Sequence, residues 1–166
     1  MPALQPTHHE YENPLDRVER LAERRSWAID RTNDDEVNMC VTSDWSDIHV
    51  GLHWRDDLES LHLSCTFDQK VPDKNREEVN RLLNLVNARM FHGHFDLWLN
   101  DGSIVFRNSL ILAGGAVAND EQIETIIRLG VDNCQRYFPA IQFVVWAGKS
   151  AEEAMEGSLF ETMGEA

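Results

Sequence analysis

The 166-residue sequence lacks the marks of several large protein classes. No apolar run approaches the roughly 18–20 residues that span a bilayer, and the N-terminus has no basic region followed by an apolar stretch. We therefore expect neither a membrane helix nor a secretory signal. The three cysteines, Cys40, Cys65 and Cys134, are far apart and form no C-x-x-C pair, so neither a zinc ribbon nor a thioredoxin-like pair is indicated. We interpret the thiols as reduced and the protein as cytoplasmic.

Positive charge is scarce as well. The chain has 15 lysine and arginine residues against 29 aspartate and glutamate residues, a net charge of −14 at pH 7. A field of this sign repels phosphate backbones and anionic membranes. The basic residues near position 20 are interleaved with Glu19 and Glu23, as on an ordinary solvated helix. We predict no nucleic-acid ligand and no membrane insertion, and the charge favours a basic partner.

Recognisable catalytic motifs are also missing. There is no G-x-S-x-G element, and no cysteine stands in an activating environment. Residues 114–115 are two glycines before a predicted helix, but the lysine and the spacing of a phosphate loop are absent. The acidic pairs at residues 34–35 and 56–57 fall in turns, where such residues are common for conformational reasons. The sequence predicts a protein that is not an enzyme and needs no cofactor.

Apolar periodicity divides the chain into helices and strands. Asn13 and Pro14 predict a capped helix over residues 14–25. Four period-two runs between residues 27 and 67, joined by acidic turns, predict an antiparallel meander of three or four strands. After residues 71–73 we expect a second helix of roughly five turns that extends to Met90.

The second half of the chain follows a similar pattern. Alternating apolar residues on both sides of residues 100–102 predict a hairpin. A third helix starts at Asp120, and Pro139 should end or kink it. Ser150 and Glu153 form a capping box for a short last helix. The order α-β(3–4)-α-β-β-α predicts an α+β fold with helices on one face of an antiparallel sheet. We expect one domain over residues 13–157, with flexible termini at residues 1–12 and 158–166.

His92 and His94 flank Gly93 where the hairpin begins, and an H-x-H pair on one strand can chelate a metal. Here His92 is predicted to lie at the helix exit, and Gly93 suits a left-handed helix stop. No H-E-x-x-H spacing completes a site. We interpret both histidines as structural or surface residues and predict no metal.

Other histidines keep an alternative open. His49 and His53 lie on the polar face of one strand, about 13 Å apart by strand rise, so they cannot bind one ion together. A small-ligand or metal sensor would need His49 or His62 beside further polar groups. That sensor is the alternative to a protein-binding function.

Some apolar residues have no place in the predicted core. Trp98, Val105 and Ile111 lie on the hairpin face opposite the core-facing residues and would form an exposed apolar strip, a common mark of an interface. Alternatively, the third helix or the C-terminal tail covers this strip. Trp45 lies at a turn tip between acidic residues. We take these four residues as candidates for a partner or dimer interface.

The sequence resembles the YbjN family, bacterial proteins labelled as sensory-transduction regulators. The resemblance spans about residues 13–157 and rests on these landmarks: Leu83, Asn84, Asn87, Gly93, Phe95, Gly102 to Arg107, Tyr137, Phe138, Pro139, Gly148 and Glu152 to Ala154.

The resemblance implies a fold similar to type III secretion chaperones, with an antiparallel sheet flanked by helices in a homodimer. It also implies a structural role for Gly93, which matches a glycine of the family pattern, whereas His92 and His94 are outside that pattern. From the residues and the resemblance together we predict a regulator or chaperone-like factor that binds an unidentified protein.

Overall fold

A computed structural model describes residues 12–163, with side chains described to residue 158. Of the termini predicted to be flexible, residues 1–12 and 158–166, the parts at residues 1–11 and 164–166 lie outside the described residues. The described chain contains these helices and strands: α1 (Pro14–Arg25), β1 (Ile29–Asn33), β2 (Glu36–Thr42), β3 (Asp47–Arg55), β4 (Ser60–Lys70), α2 (Arg76–Asn87), β5 (His94–Trp98), β6 (Ser103–Ile111), α3 (Asp120–Val145) and α4 (Ala151–Met163). The α+β class and the predicted order of elements are confirmed.

The six strands form one antiparallel sheet in the order β1-β2-β3-β4-β6-β5. The first four strands are the predicted meander. The β5–β6 hairpin joins the meander through β6, which pairs with β4 and leaves β5 at the edge. The sheet is therefore assembled from two local units that meet along a single seam between β4 and β6.

One face of the sheet carries the core. Register partners such as Leu52 and Leu63, or Cys65 and Phe106, are fully buried on this face, against α1, α2 and α3. Helix α3 approaches β4 closely because residue 130 is glycine: a Cβ there would lie 2.7 Å from the Cys65 sulfur. The alternation of apolar and polar residues in each strand thus buries one face of the sheet under the helices.

Helix α2 is shorter than predicted. It ends at Asn87 after 12 residues, or about three turns, so Met90 lies beyond it. The Asn87 side chain binds the main chain of Phe95 on β5: its Nδ2 donates to the carbonyl at 2.9 Å, and its Oδ1 accepts from the N–H at 2.8 Å. Asn87 therefore joins the helix end to the edge strand.

The prediction that Pro139 ends or kinks the third helix is corrected in one respect: α3 continues through Pro139 to Val145 and has 26 residues. A helical proline removes one main-chain hydrogen bond. The turns after it carry buried Ala140, Ile141 and Val144, and this apolar contact holds the helix against the core beyond the proline.

Helix α4 begins at the predicted capping box. The Ser150 N–H donates to Glu153 Oε2 at 3.0 Å, and the Glu153 N–H donates to Ser150 Oγ at 3.2 Å. The helix packs on α2 and α3 and runs to Met163, beyond the predicted domain boundary at residue 157.

Candidate functional site

The sheet face away from the helices is mostly polar, and one row of side chains crosses four of its strands. Glu36 of β2 is the register partner of His53 on β3, which faces His62 on β4, which in turn faces Ser109 on β6. His53 and His62 are thus direct cross-strand neighbours. Sequence reasoning missed this pair because it compared histidines along one strand and had no register between strands.

His62 is the most constrained histidine of this row. Its Nδ1 lies 3.0 Å from Ser109 Oγ, and its Nε2 is buried without a hydrogen-bond partner. Burial lowers the pKa of His62, and the positive charges of Arg107 and Arg55 lower it further. His62 is therefore neutral at pH 7, the form that can accept a hydrogen bond or bind a metal.

A shallow depression of about 520 Å³ opens on β1–β4, and His49 and Gly51 are among the residues that line it. The His49 Nε2 lies 2.7 Å from an oxygen of Asp68. The structure does not bring His49 together with His62. Among residues 12–163, no group of three histidine, cysteine, aspartate or glutamate side chains has the geometry to hold a metal ion.

The two histidines beside Gly93 have different surroundings. His94 opens β5, with its Nε2 3.3 Å from an oxygen of Asp96, and His92 lines a groove between β6 and α3. Gly93 has a φ of +74°, as expected for a left-handed residue between helix and strand.

The interface candidates do not form one continuous strip. Val105 was expected to be exposed, but it is only 1% exposed, whereas Trp98 is 52% and Ile111 72% exposed. Val105 has a neighbouring strand on each side, with Thr66 and Asp96 as its partners, so a short side chain there is enclosed.

The two exposed members of the strip are also far apart. Trp98 pairs with Ser103 at the start of β6, and Ile111 is the last residue of that nine-residue strand. The two ends of such a strand are about 27 Å apart. A single small contact cannot cover both residues.

Three exposed tryptophans lie at one end of the molecule. Trp45 is in the β2–β3 turn and Trp98 ends β5, and both positions lie at the sheet end where β4 finishes. Trp146 follows α3, and Gln142 of this helix bonds to Gln69 near the end of β4. Each tryptophan is more than half exposed. We call Trp45, Trp98 and Trp146 the tryptophan end.

Trp146 was not among the predicted interface residues. In the sequence it closes the very apolar segment over residues 141–146, a pattern typical of the core, and only the observed end of α3 shows that its side chain is 77% exposed.

The family model YbjN, described as "Putative bacterial sensory transduction regulator", matches residues 14–143. The chain belongs to the YbjN family. The resemblance seen in the sequence is confirmed, and the match includes Asn87, Gly93 and the β5–β6 hairpin. A comparison with curated proteins gave no match.

Two solved structures share the YbjN fold with this chain. One is a YbjN from E. coli, described as a putative transcription regulator, with a TM-score of 0.56 and 13% identity over 73% of this chain and 85% of that chain. The other is the ExsC–ExsE complex, with a TM-score of 0.52 and 20% identity over 73% of this chain and 92% of that chain. At these identities the likeness concerns the fold. No helix in the described part of this YbjN chain is long and apolar enough to cross a membrane.

Proposed function

We propose that this member of the YbjN family is a non-enzymatic, protein-binding regulator or chaperone-like factor of the cytoplasm. The observation that carries the proposal is the tryptophan end. Tryptophan is enriched at the centres of protein interfaces, where its large ring supplies apolar contact. Three tryptophans exposed at one end of a chain this size provide such contact.

The family description and a solved complex also support this proposal. The family description is that of a regulator, and a protein of similar fold is known in the ExsC–ExsE complex. A similar fold does not by itself imply a similar function, so the exposed residues of this chain carry the argument.

The charge of the chain points to the kind of partner. Trp45 lies between Asp44 and Asp47, both exposed, in a protein with a net charge of −14. Opposite charges around an apolar contact speed association and orient the partner. We therefore propose a partner with basic residues around an apolar centre.

The test is affinity capture from the native cell with wild type and two variants, Trp98→Ala and Trp146→Ala. We expect one co-purifying protein whose recovery falls at least tenfold with each variant. Phe91→Ala is the control, because Phe91 is 99% exposed near the opposite end of the sheet. Equal recovery with all four proteins would dismiss the tryptophan end as the contact, and no co-purifying protein would count against the function.

We also propose a homodimer, with Trp98 at its interface. Trp98→Glu should produce a folded monomer in sedimentation velocity, because a carboxylate at the contact loses its hydration without a partner. Val105→Glu is unsuitable for this test, since a charge at that buried position should unfold the chain. Leu58→Glu, near the other end of the sheet, is the control. A monomeric wild type would end the dimer proposal.

The alternative function is a small-ligand or metal sensor on the polar sheet face. It is favoured by the direct pairing of His53 with His62 and by the nearby depression on β1–β4. Titration calorimetry with Zn²⁺ tests the metal version. Binding of one ion per chain that is lost in His62→Ala would support a sensor, and the absence of binding heat would dismiss this metal.

A further inference from the structure

Strand β6 is longer than its edge neighbour β5. The last pair between them is His94 with Arg107, whereas β6 continues to Ile111, which pairs with Ser60 of β4. On the β5 side, no described residue before His94 pairs with β6. Residues 108–111 of β6, here called the β6 overhang, therefore have no strand on their outer side within residues 12–163.

The main-chain groups of the β6 overhang point alternately inward and outward. The Leu112 N–H donates to the Glu59 carbonyl at 2.8 Å, so the main-chain N–H of Leu112 points toward the β4 side of β6. By alternation, the N–H and carbonyl of Ile111 and Ser109 face outward. The Ser109 N–H already donates to Asn108 Oδ1 at 2.9 Å, whereas among the described residues the Ser109 carbonyl and the main-chain groups of Ile111 make no main-chain hydrogen bond outside the strand ladders. These remaining groups fit the main chain of an extended peptide.

The β6 overhang also lacks the protection usual at exposed strand edges. Proteins commonly place charges or proline there to prevent pairing with other chains. The outer strand β1 carries Asp30 and Arg31, and β5 carries Asp96. The overhang reads Asn-Ser-Leu-Ile, without charge or proline.

A groove of about 310 Å³ lies beside the β6 overhang, between β6 and the first half of α3. Leu110, Ile126 and Leu129 supply its apolar lining, and Glu121 and His92 are among its polar residues. Successive side chains of a strand point to opposite faces. A strand laid along the overhang would therefore place every second side chain in this groove and the others in solvent.

We propose that the β6 overhang binds an extended segment of a partner protein, which adds to the sheet as a further strand. The segment has aliphatic side chains at alternate positions for the groove, and basic residues between them suit the acidic chain. This inference rests on the proposed protein-binding function and names the chemistry of its partner segment.

The test uses two synthetic peptides of about eight residues, capped at both ends. One alternates valine and lysine, and the other has the same sequence with proline at two central positions. We expect the alternating peptide to bind the full chain at least tenfold more tightly in fluorescence anisotropy. Hydrogen exchange should slow at Ile111, whose N–H gains a hydrogen bond to the peptide. Equal affinity for both peptides, or protection confined to β1 or to the outer side of β5, would overturn the proposal.

Two variants separate main-chain pairing from apolar contact. Ile111→Pro removes an outward N–H that no described strand uses. It should weaken binding of the alternating peptide at least tenfold. Ile111→Thr keeps this N–H and should retain affinity within about threefold. If Ile111→Pro fails to fold by circular dichroism, Ser109→Lys replaces it as a charged edge and should weaken binding equally. Unchanged affinity in the folded edge variant would overturn the proposal.

The same variants distinguish this site from the proposed function. A cellular partner captured equally by wild type and the folded edge variant leaves protein binding intact and rejects the β6 overhang as its site. If wild type sediments as a dimer and the edge variant as a monomer, the β6 overhang binds a second copy of this chain. That result would overturn the proposal that it binds a segment of a partner protein.

Discussion

Replacing Gly93 by alanine should destabilise the protein strongly, for two separable reasons. The first is conformational, since a left-handed φ of +74° costs an L-residue about 1–2 kcal/mol. The second is steric. An added Cβ would lie 2.4 Å from Cζ of Phe106 and 2.7 Å from the Arg107 carbonyl oxygen. Both atoms belong to β6, the second strand from the sheet edge.

The steric part dominates because neither neighbour can move freely. The Phe106 ring is fully buried and packs edge-on against Phe95, and the Arg107 oxygen is part of the main chain. Overpacking at such a site costs about 1–3 kcal/mol. We therefore expect Gly93→Ala to lower the free energy of unfolding by about 2–5 kcal/mol, by adding this cost to the conformational one.

Gly114→Ala is a matched control. Gly114 has nearly the same φ, +72°, but an added Cβ would meet nothing within 4 Å. It should carry only the conformational cost of about 1–2 kcal/mol. Urea unfolding followed by circular dichroism measures both variants against wild type. Equal losses of stability would refute the steric argument, and no loss in either would refute the assigned backbone angles.

Three further predictions concern other parts of the chain. Asn87→Ala should lower the free energy of unfolding in urea by about 1–3 kcal/mol, because both hydrogen bonds to Phe95 disappear. The control Asn84→Ala, at an exposed position of the same helix, should change it by less than about 0.5 kcal/mol. Native protein should react with a thiol reagent at Cys40 alone, because Cys40 is exposed whereas Cys65 and Cys134 are buried. The hydrogen bond with Cys65 and burial also raise the pKa of Cys134, which keeps this thiol protonated; labelling of all three cysteines would contradict the prediction. Because the folded pKa of His62 lies below the unfolded value of about 6.5, its contribution to stability is complete above that pH and is lost as pH falls through the folded pKa. His62→Gln should therefore flatten the unfolding free energy below pH 6.5, and an unchanged pH profile would count against it.

The meander was predictable because its strands follow the simplest rule of sheet burial. Val37, Val50, Leu63 and their neighbours alternate with polar residues, and each run stops at an acidic turn. One buried face therefore specifies each strand separately. The start of α1 was equally predictable from the Asn13-Pro14 pair, a capping residue followed by proline at the first helical position. The Asn13 side chain accepts a hydrogen bond from the Leu15 N–H at 2.9 Å.

The end of α2 was harder to predict because it depends on tertiary contact. Met90 continues the apolar spacing of the helix, so local pattern favours a longer element. The observed end at Asn87 coincides with the side-chain bonds to Phe95, a partner on another element. Propensity is a weak guide where tertiary hydrogen bonds compete.

The candidate interface shows the same limit. Alternation assigns Val105 and Ile111 to one sheet face, but exposure depends on how many strands flank each residue. Val105 is enclosed by β4 and β5, whereas Ile111 has only β4 beside it. Likewise, His53 meets His62 through register, which is set by pairing between strands and is not visible within either strand.

The seam between β4 and β6 has a consequence for how the chain folds. The meander and the β5–β6 hairpin each form from nearby residues, but the register across the seam joins residues between 33 positions (Lys70 with Ser103) and 51 positions (Ser60 with Ile111) apart. Closing such a loop costs chain entropy before the strands gain their contacts, and topologies rich in distant contacts fold slowly. The docking of the hairpin onto β4 is thus the expected rate-limiting event, and newly made chains carry an unpaired β4 edge until it occurs.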